Sequence, residues 1–127
     1  MGGGIPIIRP LYHCLMGERI EEITGILNGT TNYILTKMDK EGDTFENALR
    51  EAQNLGYAER NPEADVEGYD TCRKIAILTA MAAGKEVDYQ DIYTEGITKI
   101  TDVDFKYAEK MGVSIKLFGT SRIRDGR

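Results

Sequence analysis

The chain has 127 residues, with 16 Lys and Arg against 21 Asp and Glu, which gives a formal net charge of -5. Hydrophobic residues make up 41% and charged residues 29%, a composition typical of globular proteins rather than disordered or membrane-spanning ones. The acidic balance argues against nucleic acid or an anionic membrane as the partner. We therefore expect one soluble, cytoplasmic domain with free cysteines.

Hydrophobic periodicity and end signals divide the chain into strands and helices. In chain order we predict a strand over 20–27, a helix over 32–40, a helix after Thr44, an ordered polar loop over 57–65, a helix from about 66–69 to 83, a short element within 89–100, a helix over 103–111 and a strand over 113–119. The expected helix caps are Thr30 or Thr31, Thr44 and Thr101, and the expected helix ends are Gly42, Gly56, Gly84 and Gly112. Because strands and helices interleave, we expect an α/β fold with helices packed on a sheet.

The stretch 56–74 holds the densest group of chemistry-bearing side chains. Asp70 and Lys74 are four residues apart, so they share a face of the predicted helix. Lys74 precedes the run 75–83, which is apolar all round and predicted to be buried, and partial desolvation would favour a lysine able to exchange a proton. The same spacing also fits an ordinary Asp–Lys pair at the edge of a core, and such pairs are the more common.

Three further segments are possible sites. The turn over 25–32 precedes a helix, whose N–H groups could receive a carboxylate or a phosphate, but a capped turn is the simpler interpretation. The opening glycines lack the spacing of a dinucleotide fingerprint. His13 and Cys14 are adjacent and would point to opposite faces of an extended chain, so we interpret them as packing residues.

Both ends of the chain suggest a piece of a longer protein. The glycine-rich start leads into an apolar stretch over 5–8, and Asp125-Gly126 is typical of a hairpin turn whose second strand would follow. A small natural protein with flexible termini is the alternative.

A spaced set of residues within 52–74 points to a family. Its members are Ala52, Gly56, Tyr57, Ala58, Asn61, Pro62, Asp65, Val66, Gly68, Asp70 and Lys74. This set resembles the signature of homoserine dehydrogenases. Segments 3–8 and 25–35 also resemble that family and follow in the same order, so the likeness extends over nearly the whole chain.

The resemblance implies the catalytic domain of an NAD- or NADP-dependent oxidoreductase. Such an enzyme interconverts L-aspartate 4-semialdehyde and L-homoserine, in threonine, methionine and isoleucine biosynthesis. The implied α/β (α+β) fold is a mixed β-sheet with helices packed on one face, and the same domain binds the substrate and forms a homodimer. Residues 1–127 would be this domain truncated at both ends, without the nucleotide-binding domain, and we expect it to be inactive alone.

The resemblance also assigns roles to five residues. Lys74 corresponds to the proton donor to the aldehyde oxygen, and Asp70 to its partner at the substrate. Glu59 would bind the substrate amino group and Gly56 would give a backbone contact. Thr30 lies in the segment that approaches the substrate.

Two further ligands are implied. A sodium or other monovalent ion would lie on the backbone carbonyls of Gly3 and Ile5. Residues that bind the dinucleotide would lie mostly in the absent domain.

The alternative is a non-catalytic oligomerisation or ligand-binding module that keeps the fold. Such a module would be expected to lose Glu59, Asp70 or Lys74. All three are present, which favours the enzyme.

Overall fold

The structure, a computed structural model, describes residues 21–122. In chain order they form strand β1 (Glu22–Gly25), helices α1 (Gly29–Glu41), α2 (Phe45–Asn54), α3 (Glu63–Val66) and α4 (Tyr69–Ala83), a 3-10 turn (Tyr89–Asp91), helix α5 (Asp102–Met111) and strand β2 (Gly119–Arg122). The two strands pair antiparallel, with Glu22 opposite Arg122. Helices beside a small antiparallel sheet confirm the predicted α/β class, and between residues 21 and 122 the sheet contains this one pair of strands.

Local signals set the ends of α2 and α5 where the sequence predicts them. The Thr44 hydroxyl accepts the backbone N–H of Asn47 at 3.2 Å. The Thr101 backbone N–H donates to the Asp104 carboxylate at 2.8 Å, and α5 ends at Gly112. These contacts satisfy backbone groups that the first and last turns of a helix leave without partners.

The main core lies where α1 packs against α2, α3 and α5. The buried residues of this core are Ile34, Leu35, Met38, Ala48, Ala52, Ala58, Val66, Ile97 and Phe105. Helices α1 and α2 supply five of them. The core therefore fixes α1, whose first turn reaches the candidate site.

A buried asparagine ties α1 to the chain before β2. Asn32 is 8% exposed, and its Oδ1 accepts the backbone N–H of Leu117 at 2.8 Å. Its Nδ2 donates to the backbone carbonyl of Asn28 at 2.8 Å. Buried amides of this kind keep their partners because an unpaired one is costly.

The strand predicted over 113–119 is wrong for 113–118. The strand starts at Gly119, and the residues before it are irregular. The backbone N–H of Leu117 is taken by a side chain of α1 rather than by a neighbouring strand, and Ile115 packs against the core. Alternating hydrophobicity therefore reflects packing on helices here, and not strand pairing.

Two other predictions need correction. The second half of α4 is less buried than predicted. Among the described residues, Ile77 is 44% exposed and 79–83 are half-buried. The helix makes its contacts mainly with α3 and β2 and is not surrounded on all sides. The predicted loop over 57–65 contains the start of α3, a helix too short to show periodicity. Within 89–100 the predicted short element is confirmed as the 3-10 turn Tyr89–Asp91.

Two glycines bring the turn between α3 and α4 against a later segment. Gly68 has φ +84°, and a Cβ there would lie 2.7 Å from the Glu95 carbonyl oxygen. A Cβ at Gly96 would lie 2.3 Å from the carbonyl oxygen of Val66, which also accepts the Ile97 N–H at 2.7 Å. No side chain fits at such distances. The contact fixes the junction between α3 and α4.

Some predictions fall outside the described residues. They concern the opening segment, the cation ligands, the His-Cys pair and the C-terminal turn: 5–16, Gly3, Ile5, His13, Cys14 and Asp125-Gly126. Between residues 21 and 122, no helix is long and apolar enough to cross a membrane.

Candidate active site

Asn28 caps helix α1. Its backbone is extended (φ -134°, ψ 116°), and its Oδ1 accepts the backbone N–H of Thr31 at 2.8 Å and the hydroxyl of Thr31 at 2.7 Å. The predicted cap, Thr30 or Thr31, is therefore wrong by two or three positions. Asparagine is among the strongest helix caps, and here it takes that role ahead of the threonines.

The same asparagine bridges two carboxylates that come from distant parts of the chain. Its Nδ2 donates to Asp65 Oδ1 at 2.7 Å and to Asp70 Oδ2 at 2.7 Å. Asp65 lies on α3 and Asp70 in the first turn of α4. The turn between β1 and α1 is thereby joined to the α3–α4 junction.

Lys74 lies on the same face of α4 as Asp70, as the spacing predicts. Its Nζ donates to Asp70 Oδ2 at 2.8 Å and to the backbone carbonyl of Leu27 at 2.7 Å. Its side chain is 18% exposed, which agrees with the partial burial expected next to the apolar run. Within the described part of the chain these are its two partners, so one of the three N–H groups of this ammonium has no acceptor there.

Thr30 and Tyr57 connect α1 to the loop after α2. The Thr30 hydroxyl donates to the Tyr57 carbonyl oxygen at 2.6 Å. The Tyr57 ring meets the Tyr33 ring edge-on, with centroids 5.2 Å apart and planes at 71°. The loop that carries Gly56 and Glu59 is therefore attached to the first turns of α1.

These contacts surround an open cleft of about 700 Å³. Its lining residues are Asn28, Gly29, Thr30, Tyr33, Gly56, Tyr57, Glu59, Asp65, Asp70 and Lys74. All five residues to which the resemblance gives substrate or catalytic roles line it. The structure thus brings together residues from three segments that are up to 44 positions apart, from Thr30 to Lys74.

The charges of the cleft suit a small molecule with an ammonium group. Three carboxylates, of Glu59, Asp65 and Asp70, line it together with one ammonium, of Lys74. Glu59 is exposed, and its backbone carbonyl accepts from Gln53 Nε2 at 3.0 Å. This set of groups does not fit the phosphates of a dinucleotide, which prefer arginine, lysine or helix N-termini free of carboxylates.

Tyr33 forms one wall of the cleft beside charged groups of α1 and α2. Burial, followed by the nearby Glu51 carboxylate, raises the pKa of Tyr33 above its ordinary value of 10.0. Its hydroxyl therefore stays protonated and neutral at physiological pH.

A second group of carboxylates does not line the cleft. Glu41, Asp43 and Glu51 bring oxygen atoms within 4.8 Å of one another. The ammonium of Lys37 contacts two of them, Glu41 and Glu51. Because the Lys37 ammonium already pairs with two of the three carboxylates, we assign no metal to the cluster.

The family model for homoserine dehydrogenase matches residues 6–124 of this chain. The chain belongs to the homoserine dehydrogenase family. It is 52% identical over 126 residues to the homoserine dehydrogenase of Synechocystis sp. (strain ATCC 27184 / PCC 6803 / Kazusa), a match that covers 99% of this chain and 28% of that protein. The predicted family is confirmed, and the chain spans about 28% of the length of the curated relatives it matches.

Solved structures of homoserine dehydrogenases share the fold. The enzyme from Thiobacillus denitrificans superposes with a TM-score of 0.91 at 47% identity, over 98% of this chain and 29% of that one. A hyperthermophilic archaeal homoserine dehydrogenase mutant in complex with NADPH gives a TM-score of 0.76 at 32% identity, over 94% of this chain and 34% of that one. This family consists of oxidoreductases that use a nicotinamide nucleotide.

The bridge that Asn28 forms between Asp65 and Asp70 was not predicted from the sequence, and no role was predicted for Asp65. The available signal was an asparagine directly before Gly29 and two threonines, a common start of a helix. That signal locates a cap, but it carries no information about carboxylates 37 and 42 positions away.

Proposed function

We propose that this chain is the substrate-binding and catalytic domain of a homoserine dehydrogenase. The enzyme interconverts L-aspartate 4-semialdehyde and L-homoserine with NAD or NADP, a step towards threonine, methionine and isoleucine. The observation that carries the proposal is the cleft that gathers Glu59, Asp70 and Lys74. The curated relatives named homoserine dehydrogenase also support the proposal.

Lys74 is the proposed proton donor. The nicotinamide supplies the hydride that reduces the aldehyde carbon, and the carbonyl oxygen then needs a proton. Two N–H groups of Lys74 are held by Leu27 and Asp70, which leaves the remaining one for the substrate. In the oxidation of homoserine, the same nitrogen receives the proton of the hydroxyl.

Glu59 is the proposed partner of the substrate ammonium. Its carboxylate is exposed at the cleft, on the loop that the Thr30–Tyr57 hydrogen bond holds near α1. A charge-assisted hydrogen bond to an ammonium orients the substrate as well as binding it. Gly56 and Thr30 are proposed to line the same pocket around the amino acid.

The rest of the enzyme is proposed from the family. The dinucleotide is held mainly by a nucleotide-binding domain outside these residues, so the 127-residue chain is expected to be inactive alone. The proposed assembly is a homodimer in the cytoplasm, and a monovalent cation on Gly3 and Ile5 remains a prediction.

The test is homoserine oxidation by the full-length protein that carries this chain, with Glu59→Gln beside the wild type. We expect the wild type to reduce NAD or NADP in the presence of homoserine. Loss of one charge-assisted hydrogen bond is expected to lower kcat/KM for homoserine by about 10- to 100-fold, chiefly through KM. The KM for the dinucleotide is expected to stay unchanged.

Glu63→Gln is the matched control, since Glu63 is an exposed carboxylate four residues further on that does not line the cleft. An unchanged homoserine KM in Glu59→Gln would contradict the assigned role. A wild type that does not oxidise homoserine would instead favour the non-catalytic oligomerisation or ligand-binding module.

A further inference from the structure

We propose that Asn28 is a positioning residue for this reaction, acting through Asp70 and Asp65 rather than on the substrate. The inference rests on the proposed function and goes beyond it. Its basis is the double use of one buried side chain, which caps a helix with one atom and holds two carboxylates of the cleft with another.

The orientation of the Asn28 amide follows from its partners. The backbone N–H of Thr31 can only donate, so the atom that faces it must be the oxygen Oδ1. The nitrogen Nδ2 then faces the carboxylates of Asp65 and Asp70, which accept its two hydrogens. A reversed amide would place a donor against a donor and an acceptor against two carboxylates, so one orientation is enforced.

The two hydrogen bonds from Asn28 Nδ2 offset the repulsion between the carboxylates of Asp65 and Asp70. Asp65 and Asp70 are like charges that both approach Nδ2 of Asn28, and like charges in a partly buried site repel. Two hydrogen bonds from one amide compensate both carboxylates and restrict their side-chain rotation. Asp70 Oδ2 is thereby held where Lys74 Nζ also donates to it.

The backbone next to Asn28 binds Lys74, the other member of the Asp70–Lys74 pair. The carbonyl of Leu27 accepts from Lys74 Nζ at 2.7 Å, and Leu27 directly precedes the cap. One turn therefore fixes Lys74 through a carbonyl and Asp70 through an amide. The Asn28 side chain and the backbone beside it therefore hold both members of the Asp70–Lys74 pair.

Asn28 is 5% exposed, which suits a residue that acts through its neighbours. The distinction from a purely structural role lies in its Nδ2. Capping uses Oδ1 alone, and serine or aspartate can provide a capping oxygen nearly as well. Neither of them offers an amide N–H to the two carboxylates.

The test uses Asn28→Ser and Asn28→Asp in the full-length protein. Both variants retain a capping oxygen, and we expect Asn28→Ser to fold. Asn28→Asp also places a third carboxylate beside Asp65 and Asp70, so it tests the loss of the amide donor together with added repulsion. Loss of an outer hydrogen bond that orients a site commonly costs about 10- to 100-fold in activity, and we expect kcat for homoserine oxidation to fall by that factor. The KM for the dinucleotide is expected to stay unchanged.

Thr44→Ala is the control for stability. It removes the cap of α2, far from the cleft, and is expected to lower stability without changing kcat of the folded enzyme. If one of the Asn28 variants does not fold, the other still gives the result.

A double-mutant cycle separates positioning from a structural role. In an Asp70→Asn background, Asn28→Ser is expected to lower kcat by a much smaller factor than in the wild type, because its main partner has already been changed. An equal factor in both backgrounds, or an unchanged kcat in both Asn28 variants, would overturn the inference. A wild type without homoserine oxidation would overturn the proposed function and this inference together.

Discussion

Asp70–Lys74 and Asp102–Lys106 are both Asp–Lys pairs four residues apart on a helix. In the first pair the charged atoms are 2.8 Å apart, and the side chains are 32% and 18% exposed. In the second the distance is 3.9 Å and the side chains are 75% and 74% exposed. The backbone carbonyl of Leu27 adds a further acceptor to Lys74. Burial and a distant backbone partner, rather than spacing, therefore mark the candidate catalytic pair.

Lys37 shows a different use of a lysine. Hydrogen bonds that the Lys37 ammonium donates to Glu41 and then to Glu51 raise the pKa of Lys37 well above its ordinary value of 10.5, against the opposing effect of burial. A group whose pKa is raised by folding stabilises the folded state fully below its unfolded pKa. The stabilisation is lost as the pH rises above that value.

We expect Lys37→Met to lower the free energy of unfolding at neutral pH. The deficit against the wild type is expected to shrink as the pH rises beyond 10.5, because the unfolded wild-type chain then loses the lysine proton that the folded ion pairs require. Urea unfolding across this pH range measures the effect. Lys40→Met, an exposed lysine on the same helix, is the control. A deficit that stays constant with pH would show that Lys37 acts through packing of its alkyl chain instead.

Among the elements, those with local end signals could be predicted from the sequence. Thr44 and Thr101 are caps within their own segments, and Gly112 ends α5 in the predicted place. The start of α1 was predicted too late because Asn28, Thr30 and Thr31, three residues within four positions, are all suitable helix caps. Local propensity cannot choose among neighbours that are all suitable.

The structure of 113–119 depends on distant partners and could not be predicted from the sequence. Residues 113–118 alternate like a strand, but the backbone of Leu117 is bound by the Asn32 side chain of α1. The strand begins where Gly119 can pair with Gly25 of β1, and a Cβ at Gly119 would lie 2.9 Å from Leu27 Cδ1. This strand pairing forms only in the folded protein, so no hydrophobic periodicity in the sequence predicts it.

The junction between α3 and α4 gives a prediction about stability. Gly96→Ala would force a Cβ to within 2.3 Å of a backbone carbonyl, so we expect it to destabilise the fold by about 1–3 kcal/mol or more. It is also expected to lower activity, since this junction carries Asp65 and Asp70. Thermal unfolding measures the first effect.

Gly29→Ala is the matched control for Gly96→Ala. A Cβ at Gly29 has open space, and alanine is preferred over glycine in a helix, so its stability should be unchanged or slightly higher. Equal stability of both variants would contradict the close approach at Gly96.

At the scale of the whole molecule, the cleft is an assembly of three segments. The turn before α1 contributes Asn28, the loop after α2 contributes Glu59, and the start of α4 contributes Lys74. The family could be inferred from the sequence because its spaced residues survive in the order of the chain. The hydrogen-bond network that joins them could not, since its partners are 37, 42 and 47 positions apart.

The described residues supply the substrate side of the proposed enzyme. Carboxylates outnumber the ammonium at the cleft, which suits an amino acid and not a dinucleotide phosphate. The chain matches about 28% of its curated relatives' length, and the proposed nucleotide-binding part lies in the remainder. Turnover is therefore expected from the full-length protein and not from this chain alone.

The most direct measurement is kcat for homoserine oxidation by the full-length protein in three forms: wild type, Lys74→Met and Lys106→Met. Removal of a general acid–base group typically costs about 100- to 10,000-fold, and we predict a loss of that order in Lys74→Met. Lys106→Met, which disrupts the exposed pair of the same spacing, is predicted to retain wild-type kcat. A folded Lys74→Met enzyme with wild-type kcat would contradict the account, because the proton would then have to come from another group.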